Sequence, residues 1–251
     1  MKFIRVKISG CINSFRQPDF HTYHRTLPLP PKTTVAGMLG SALGISPKTV
    51  NDEWVKSNRF FMGVVGKSHG KANDLWQIRK YESKQIAAYK KGSADTPYKT
   101  AVIVRELLYD SHFSIYLTFE DDDDFKLIVD SLQNPVWALS LGREDELVKI
   151  SEINVVDITE KDNLYFRNTI LPFDVNEGDY KLDLNQIGKG NLLTEAPRIV
   201  KVPVTFTYKK DSEVREADYF NIYTFVGDVP LQPERSTGFY DPEDQCAFQI
   251  F

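Results

Sequence analysis

Cysteine is scarce in this chain: there are 2 among 251 residues. Cys11 and Cys246 lie near opposite ends, at no metal-ligand spacing. That excludes a disulfide-stapled scaffold and a cysteine-built zinc module, and it reads as reduced thiols in a cytoplasmic protein. Long apolar runs are also missing. None approaches the roughly 20 residues that a bilayer-spanning helix needs, so no membrane segment is expected. The opening MKFIRVKISG alternates charged and apolar residues and reads as a strand rather than a signal peptide. Histidine is equally sparse, at 4 residues. His21 and His24 stand three apart, but no cysteine or third histidine follows at a suitable spacing. No metal and no cofactor is expected from such a pattern. Internal repeats and low-complexity tracts are absent.

What is present is ordinary for a globular protein: 41% hydrophobic and 26% charged residues. The length allows one large domain or two small ones. The net charge of −4 hides an asymmetry. Residues 1–105 hold 18 Lys and Arg against 6 Asp and Glu, a balance of +12, and the remainder carries −16. A basic half points to a polyanion partner on one side of the molecule, and a basic patch matters more than the overall pI. Chance clustering of surface charge is the alternative. Part of the acidic excess has a structural cause, since Asp121, Asp122, Asp123 and Asp124 form the expected start of a helix. They lack the spaced oxygen ligands and turn glycine of a calcium loop.

Residues 2–8 place Ile4, Val6 and Ile8 on one face of a first strand, with Lys2, Arg5 and Lys7 between them. Residues 11–31 have no clear period and read as an extended loop. A helix begins near Pro31, and Val35, Met38, Leu39, Ala42 and Leu43 form its buried stripe. Gly44 is its expected C-cap. A short helix spans Pro47 to Lys56, and Arg59 to Gly66 reads as a strand. Residues 67–100 are polar, basic and poorly periodic, and a loop this long is usually functional or disordered. Ala101–Tyr109 and His112–Phe119 read as a hairpin. Phe125, Ile128, Val129 and Leu132 mark a helix that ends before Pro135. A strand follows at Ile153–Ile158, and mostly short strands after that. The order β-α-β-β-α-β over residues 1–158 predicts an α+β fold of ferredoxin-like, RRM type with an insertion at about 67–100. Residues 159–251 form a β-rich extension.

Three groups of residues carry candidate chemistry. The insertion interleaves Arg79, Lys80, Lys84, Lys90, Lys91, Lys99 and Arg105 with Tyr81, Tyr89 and Tyr98. Cations neutralise phosphates, and tyrosine faces stack unpaired bases. A solvated loop is the alternative. The segment 14–34 offers Arg16, His24, Arg25, Lys32 and Thr33. Its helix start presents backbone N–H groups to a phosphate, while capping by Thr33 or Thr34 is the plainer role. Gly142-Arg143 joins a residue that permits close backbone approach to a forked donor suited to phosphate. A surface turn with an ion pair to Glu144 or Asp145 is the alternative. Metal-independent RNA cleavage needs a base, an acid and a cation, which Tyr23, His24 and Lys32 can supply.

The stretch Ser14-Phe15-Arg16 through Leu29-Pro30-Pro31-Lys32-Thr33-Thr34-Val35-Ala36-Gly37-Met38-Leu39-Gly40-Ser41-Ala42-Leu43-Gly44 resembles the N-terminal signature of the Cas-five family. Leu139-Ser140-Leu141-Gly142-Arg143-Glu144 resembles the family's turn after its second helix. The resemblance implies a RAMP-superfamily fold and a place in a type I CRISPR Cascade complex, with the type I-B branch most similar. It implies binding of the crRNA 5′ handle in antiviral defence, with the basic insertion acting as a thumb. The implied partners are the Cas-seven backbone subunit, the Cas-eight large subunit and, through the assembly, target DNA. The RNA-binding residues so implied are Arg16, His24, Arg25, Lys32, Thr33, Lys84, Tyr89, Lys90, Lys91, Arg105, Gly142 and Arg143, with no catalytic residue. Type I-C relatives cleave precursor RNA with Tyr, Lys and His. No lysine adjoins a histidine here, although Lys67 and His69 come close. Endoribonuclease activity remains the second reading, and a protein-only scaffold the third.

Overall fold

The computed structural model describes residues 1–20, 23–80, 86–87, 90–91, 99–184, 196–210, 214–234 and 236–251. Strand β1 (Lys2–Asn13) enters the core at once and is followed by the two-residue strand β2 (Tyr23–His24). Helix α1 (Lys32–Leu43) starts at Pro31 and stops at Gly44, whose φ of 71° is left-handed. The Gly44 N–H returns to the carbonyls of Gly40 and Ser41. The Ser41 carbonyl also accepts from the Trp137 N–H, and that of Ala42 accepts from the Val136 N–H. Helix α2 (Pro47–Thr49), capped by the Ser46 hydroxyl, runs on into a wide π-helical turn, Val50–Val55.

Two strands of 21 residues each, β3 (Phe60–Lys80) and β4 (Lys99–Phe119), pair antiparallel from Phe60↔Phe119 out to Lys80↔Lys99. This corrects the sequence reading twice. Residues 67–80 are strand, not irregular loop, and residues 101–119 form one strand rather than a hairpin. Asp110, at φ 49°, marks the irregularity that resembled a turn. Helix α3 (Asp122–Gln133) begins as expected, with the Asp121 side chain accepting from the Asp123 N–H at 2.8 Å.

The remaining strands are β5 (Lys149–Asp157), β6 (Glu160–Lys161), β7 (Thr169–Leu171), β8 (Tyr180–Leu182), β9 (Arg198–Tyr208), β10 (Arg215–Val226), β11 (Leu231–Pro233), β12 (Gly238–Asp241) and β13 (Cys246–Phe248). The main sheet runs β5-β1-β4-β3-β7-β10-β9, with β2 added to β4. Strands after residue 158 therefore extend the sheet begun by the leading ones. The rest form two small pairings, β11-β8 and β13-β12-β6.

Strand alternation explains why β1 is buried on both sides. Ile4, Val6 and Ile8 join Val35, Met38, Leu39, Ile128 and Leu132 of α1 and α3 in the main core. Phe3 faces the other way, against Tyr116, Phe239 and Phe248. Tyr116 and Phe248 stack at 4.0 Å between ring centroids. Each such fully buried side chain stabilises the fold by about 1.5–3 kcal/mol. Among the described residues, no helix is long and apolar enough to cross a membrane.

Candidate nucleic-acid interface

β1 leaves the edge of β4 after pairing Asn13 with Leu108. β2 takes its place, setting Tyr23 and His24 beside Val104 and Arg105 in parallel. The chain between them turns back on itself. Phe15 and Leu27 are joined by a backbone bond of 2.7 Å, and Gln17 donates to the Arg25 carbonyl at 2.9 Å. The Thr26 hydroxyl accepts from the Phe15 N–H at 2.8 Å. Arg16 and Arg25 are thus held near the root of the β3/β4 ribbon. The Arg25 guanidinium lies 5.1 Å from the Phe20 ring, and the Tyr23 hydroxyl donates to Asn73 on β3 at 3.1 Å.

The Gly142-Arg143 turn reaches the same place. Glu146, only 5% exposed, accepts from the Ser14 N–H at 2.7 Å, the Ser14 hydroxyl and the Arg143 N–H at 2.9 Å. The Asn13 amide donates to the Leu141 carbonyl at 2.8 Å. Gly142 has φ 120°, and a Cβ there would lie 2.1 Å from Glu146 Oε2 and 2.6 Å from the Ser14 carbonyl oxygen. Only glycine fits. The acid that organises this turn is therefore Glu146, not the Glu144 or Asp145 considered from sequence.

Trp76 completes the arrangement. Its ring carries the Arg105 guanidinium at 4.0 Å and that of Arg143 at 4.9 Å. Arg105 is 8% exposed and pairs with Asp74, its cross-strand neighbour. Trp76 remains 42% exposed. Burial pushes Arg143 below the usual guanidinium range, with Arg105 and Arg16 adding repulsion against Glu146 and Asp145. Guanidinium stays charged in proteins, and within the cluster Asp74 offsets the charge of Arg105. The sequence reading named the tyrosines of the insertion and passed over Trp76. Its signal was present: an aromatic residue inside the basic stretch.

The ribbon beyond this root is cationic and open. Lys80, Lys90, Lys91 and Lys99 are all exposed, as are Leu75 and Val102. Lys84, Tyr89, Tyr81, Tyr98 and His21 lie outside the described residues.

Lys32 stands apart from the cluster. It is 6% exposed, with its ammonium 5.0 Å from the Phe60 ring and 5.2 Å from that of Phe61. A small cavity lined by Ile170, Val202, Tyr223, Phe225 and Phe251 adjoins it. Burial lowers its pKa to about 8. Phe60 and Phe61 begin β3, whereas Tyr23 meets Asn73 far along the same strand, so Tyr23, His24 and Lys32 do not converge. Thr33 is half-buried in the first turn of α1, and no side chain caps that helix.

The basic half is also partly spent inside the molecule. Arg5, fully buried, binds Asp241 at 2.9 Å, Glu152 at 2.8 Å and Glu243 at 2.9 Å. Lys7 binds Asp244 at 2.7 Å, Lys56 reaches Asp218 at 3.3 Å, and Arg59 pairs with Asp124. Part of the asymmetry read from sequence as a polyanion surface thus closes on the acidic half of the same chain.

A mixed fold of one long antiparallel sheet with helices against it, bearing a basic ribbon and an arginine cluster at its root, is the class of protein defined so far. The family model described as CRISPR-associated protein (Cas_Cas5) matches residues 3–208, and the chain belongs to that family. Among solved structures it is similar to a chain of a "CRISPR RNA-guided surveillance complex", with TM-score 0.55 and 18% identity over 92% of this chain and 90% of that one. It is also similar to a CRISPR protein from Archaeoglobus fulgidus, with TM-score 0.51 and 12% identity over 99% of both chains. At these identities the likeness is one of fold. Comparison with curated proteins found no match.

Proposed function

We propose that this chain is a non-catalytic RNA-binding subunit of a CRISPR surveillance complex of the type I Cascade class, holding the 5′ handle of crRNA. The observation that carries the reading is the placing of Arg105 and Arg143 over the exposed Trp76, with the charge of Arg16 near enough to repel that of Arg143. Guanidiniums neutralise phosphates, and an indole face stacks an unpaired base. Membership of a CRISPR-associated family supports RNA as the polyanion. The strand order β5-β1-β4-β3, with α1 after β1 and α3 after β4, supports a ferredoxin-like, RAMP-type reading of the leading part. The ribbon is then the thumb. The backbone Cas-seven and large Cas-eight subunits are the protein partners in this reading, and target DNA is met through the assembly.

Fluorescence anisotropy of the full chain with repeat-derived 5′-handle RNA, across a salt series in EDTA, tests it. The wild type should bind and leave the RNA intact. Lys90→Glu, Lys91→Glu and Arg143→Ala combined should lower the slope of log K against log salt by about 2, at roughly 0.7 per phosphate on a single strand. An unchanged slope and affinity would remove these side chains from the RNA path. RNA cut in EDTA, and spared in His24→Ala, would replace the cap with a nuclease.

A further inference from the structure

The β3/β4 register brings together two histidines that sequence spacing keeps far apart. Lys67 pairs with His112, Ser68 with Ser111, and Gly70 with Tyr109. His69 therefore stands opposite Asp110, and His112 lies two residues further along β4. Side chains two apart on a strand, and those directly opposite, share one face. We propose that His69, Asp110 and His112 bind one divalent transition-metal ion of the zinc class, leaving a coordination position for water or an anionic oxygen.

The geometry is close to what such an ion requires. His69 Nδ1 lies 3.1 Å from one carboxylate oxygen of Asp110, and His112 Nε2 lies 3.1 Å from the other. The three donor atoms all fall within 4.8 Å of one another. Metal bonds of about 2.0–2.1 Å at tetrahedral angles set donors roughly 3.3 Å apart. Each imidazole is already near that value from a different oxygen of Asp110, so the rings and the carboxylate must draw together by no more than about 1.5 Å to share one ion. Their side chains are 57% and 55% exposed, and that of Asp110 is 50% exposed. They have room to close, and an ion can reach them. The rings meet edge to face at 5.5 Å, so their nitrogens can turn toward a common point.

Donor type selects the metal. Two imidazoles with one carboxylate favour zinc, nickel or copper over magnesium or calcium, which prefer oxygen alone. Without metal, His69 Nδ1 also lies 3.1 Å from the Asp110 backbone oxygen. That nitrogen then carries the ring hydrogen. Three protein ligands leave the fourth position open. Lys67, directly across from His112, makes an anion the favoured fourth ligand. Asp110 itself has φ 49°. Aspartate tolerates that conformation better than most residues, which suits a ligand placed at an irregular step of the strand.

The test uses the chelator-stripped full chain, titrated with zinc chloride by calorimetry and with cobalt chloride by visible absorption. One equivalent should bind per chain, and His69→Ala and His112→Ala should each weaken binding at least tenfold. The exposed positions predict an unchanged thermal midpoint without metal. A second measurement needs no variant: in the wild type, zinc should shift the imidazole NMR signals of His69 and His112 and leave those of His21 and His24 in place. Binding that survives in the double alanine variant overturns the proposal. Loss in Cys11→Ser with retention in that double variant would assign the ion to the thiol of β1. Signals of His21 and His24 moving instead, or no binding at all, would overturn it equally.

Discussion

Ser14 donates twice to Glu146, from its backbone N–H at 2.7 Å and from its hydroxyl, across a sequence separation of 132 residues. The same carboxylate receives the Arg143 N–H. One buried side chain thus joins the loop that carries Arg16 to the turn that carries Arg143. Glu146→Ala would leave three donors without their acceptor, at a cost of about 2–3 kcal/mol. Urea unfolding should show that loss, and anisotropy should show weaker RNA binding, since Arg143 loses its anchor. Unchanged stability would mean that the loop and the turn are held by other bonds.

Trp76 and Arg143 should separate stacking from charge. Trp76→Ala is expected to weaken handle RNA by about 1–3 kcal/mol with the salt slope intact. Arg143→Ala should reduce the slope by about 0.7. If Trp76→Ala changes the slope instead, the indole acts by positioning the guanidiniums rather than by stacking a base.

Lys32 makes a stability prediction with a defined pH window. Its folded pKa of about 8 lies below the ordinary 10.5 because the ammonium is buried. Between those values the unfolded chain holds more protons, so wild-type stability rises with pH across that range. Below pH 8 the full cost of burying the charge remains. Lys32→Met should therefore stabilise the protein by about 1–3 kcal/mol at pH 7, less the cation–π contact with Phe60 and Phe61. The advantage should fade as pH approaches 10.5. Denaturation midpoints of both proteins at pH 7 and pH 10 check it.

Arg5 is the opposite case. It neutralises Asp241, whose burial would raise its pKa but whose bonds to Arg5 and Tyr116 hold it below the usual carboxylate range. Glu152 is held down as well, first by its bond to Arg5. These groups stabilise the fold above the ordinary carboxylate pKa, and that contribution disappears as pH falls through their lowered values. Arg5→Met should cost about 3–5 kcal/mol at pH 7, because Asp241 is left buried without its counter-charge. Its acid unfolding should also begin at higher pH. Circular dichroism along a pH titration would show either outcome.

Local signals were legible in the sequence, and distant ones were not. The stretch from Pro31 to Gly44 specified α1 with both of its ends, because proline, the apolar stripe and a left-handed glycine act within a few residues. Asp121 behaved likewise. The outer half of β3 was missed because it faces solvent on both sides, whereas Ala101–Tyr109 was read as a strand and only its continuity with the rest of β4 was not. With no buried face, alternation of apolar and polar residues is not required, and the strand signal vanishes. Arg5 looked like surface charge because its partners lie 147 to 238 residues away. The motif blocks around Ser14 and Gly142 were both visible, yet nothing in their spacing showed that they are bonded to each other. Lys32 was expected among the phosphate ligands, but the start of α1 turns its side chain onto the Phe60 and Phe61 rings instead.

β4 runs without a break from the middle of the sheet, between β1 and β3, out along the exposed ribbon. From Tyr109 to Lys99 that is roughly 30 Å of extended chain. The ladder with β3 continues on both sides of Asp110, so the arm is tied to the body by two strands and its far end keeps a set distance from it. If the outer lysines and the arginine cluster hold one ligand, as proposed, the arm is a ruler between the two grips, and lengthening both strands by two residues should move them apart by about 7 Å.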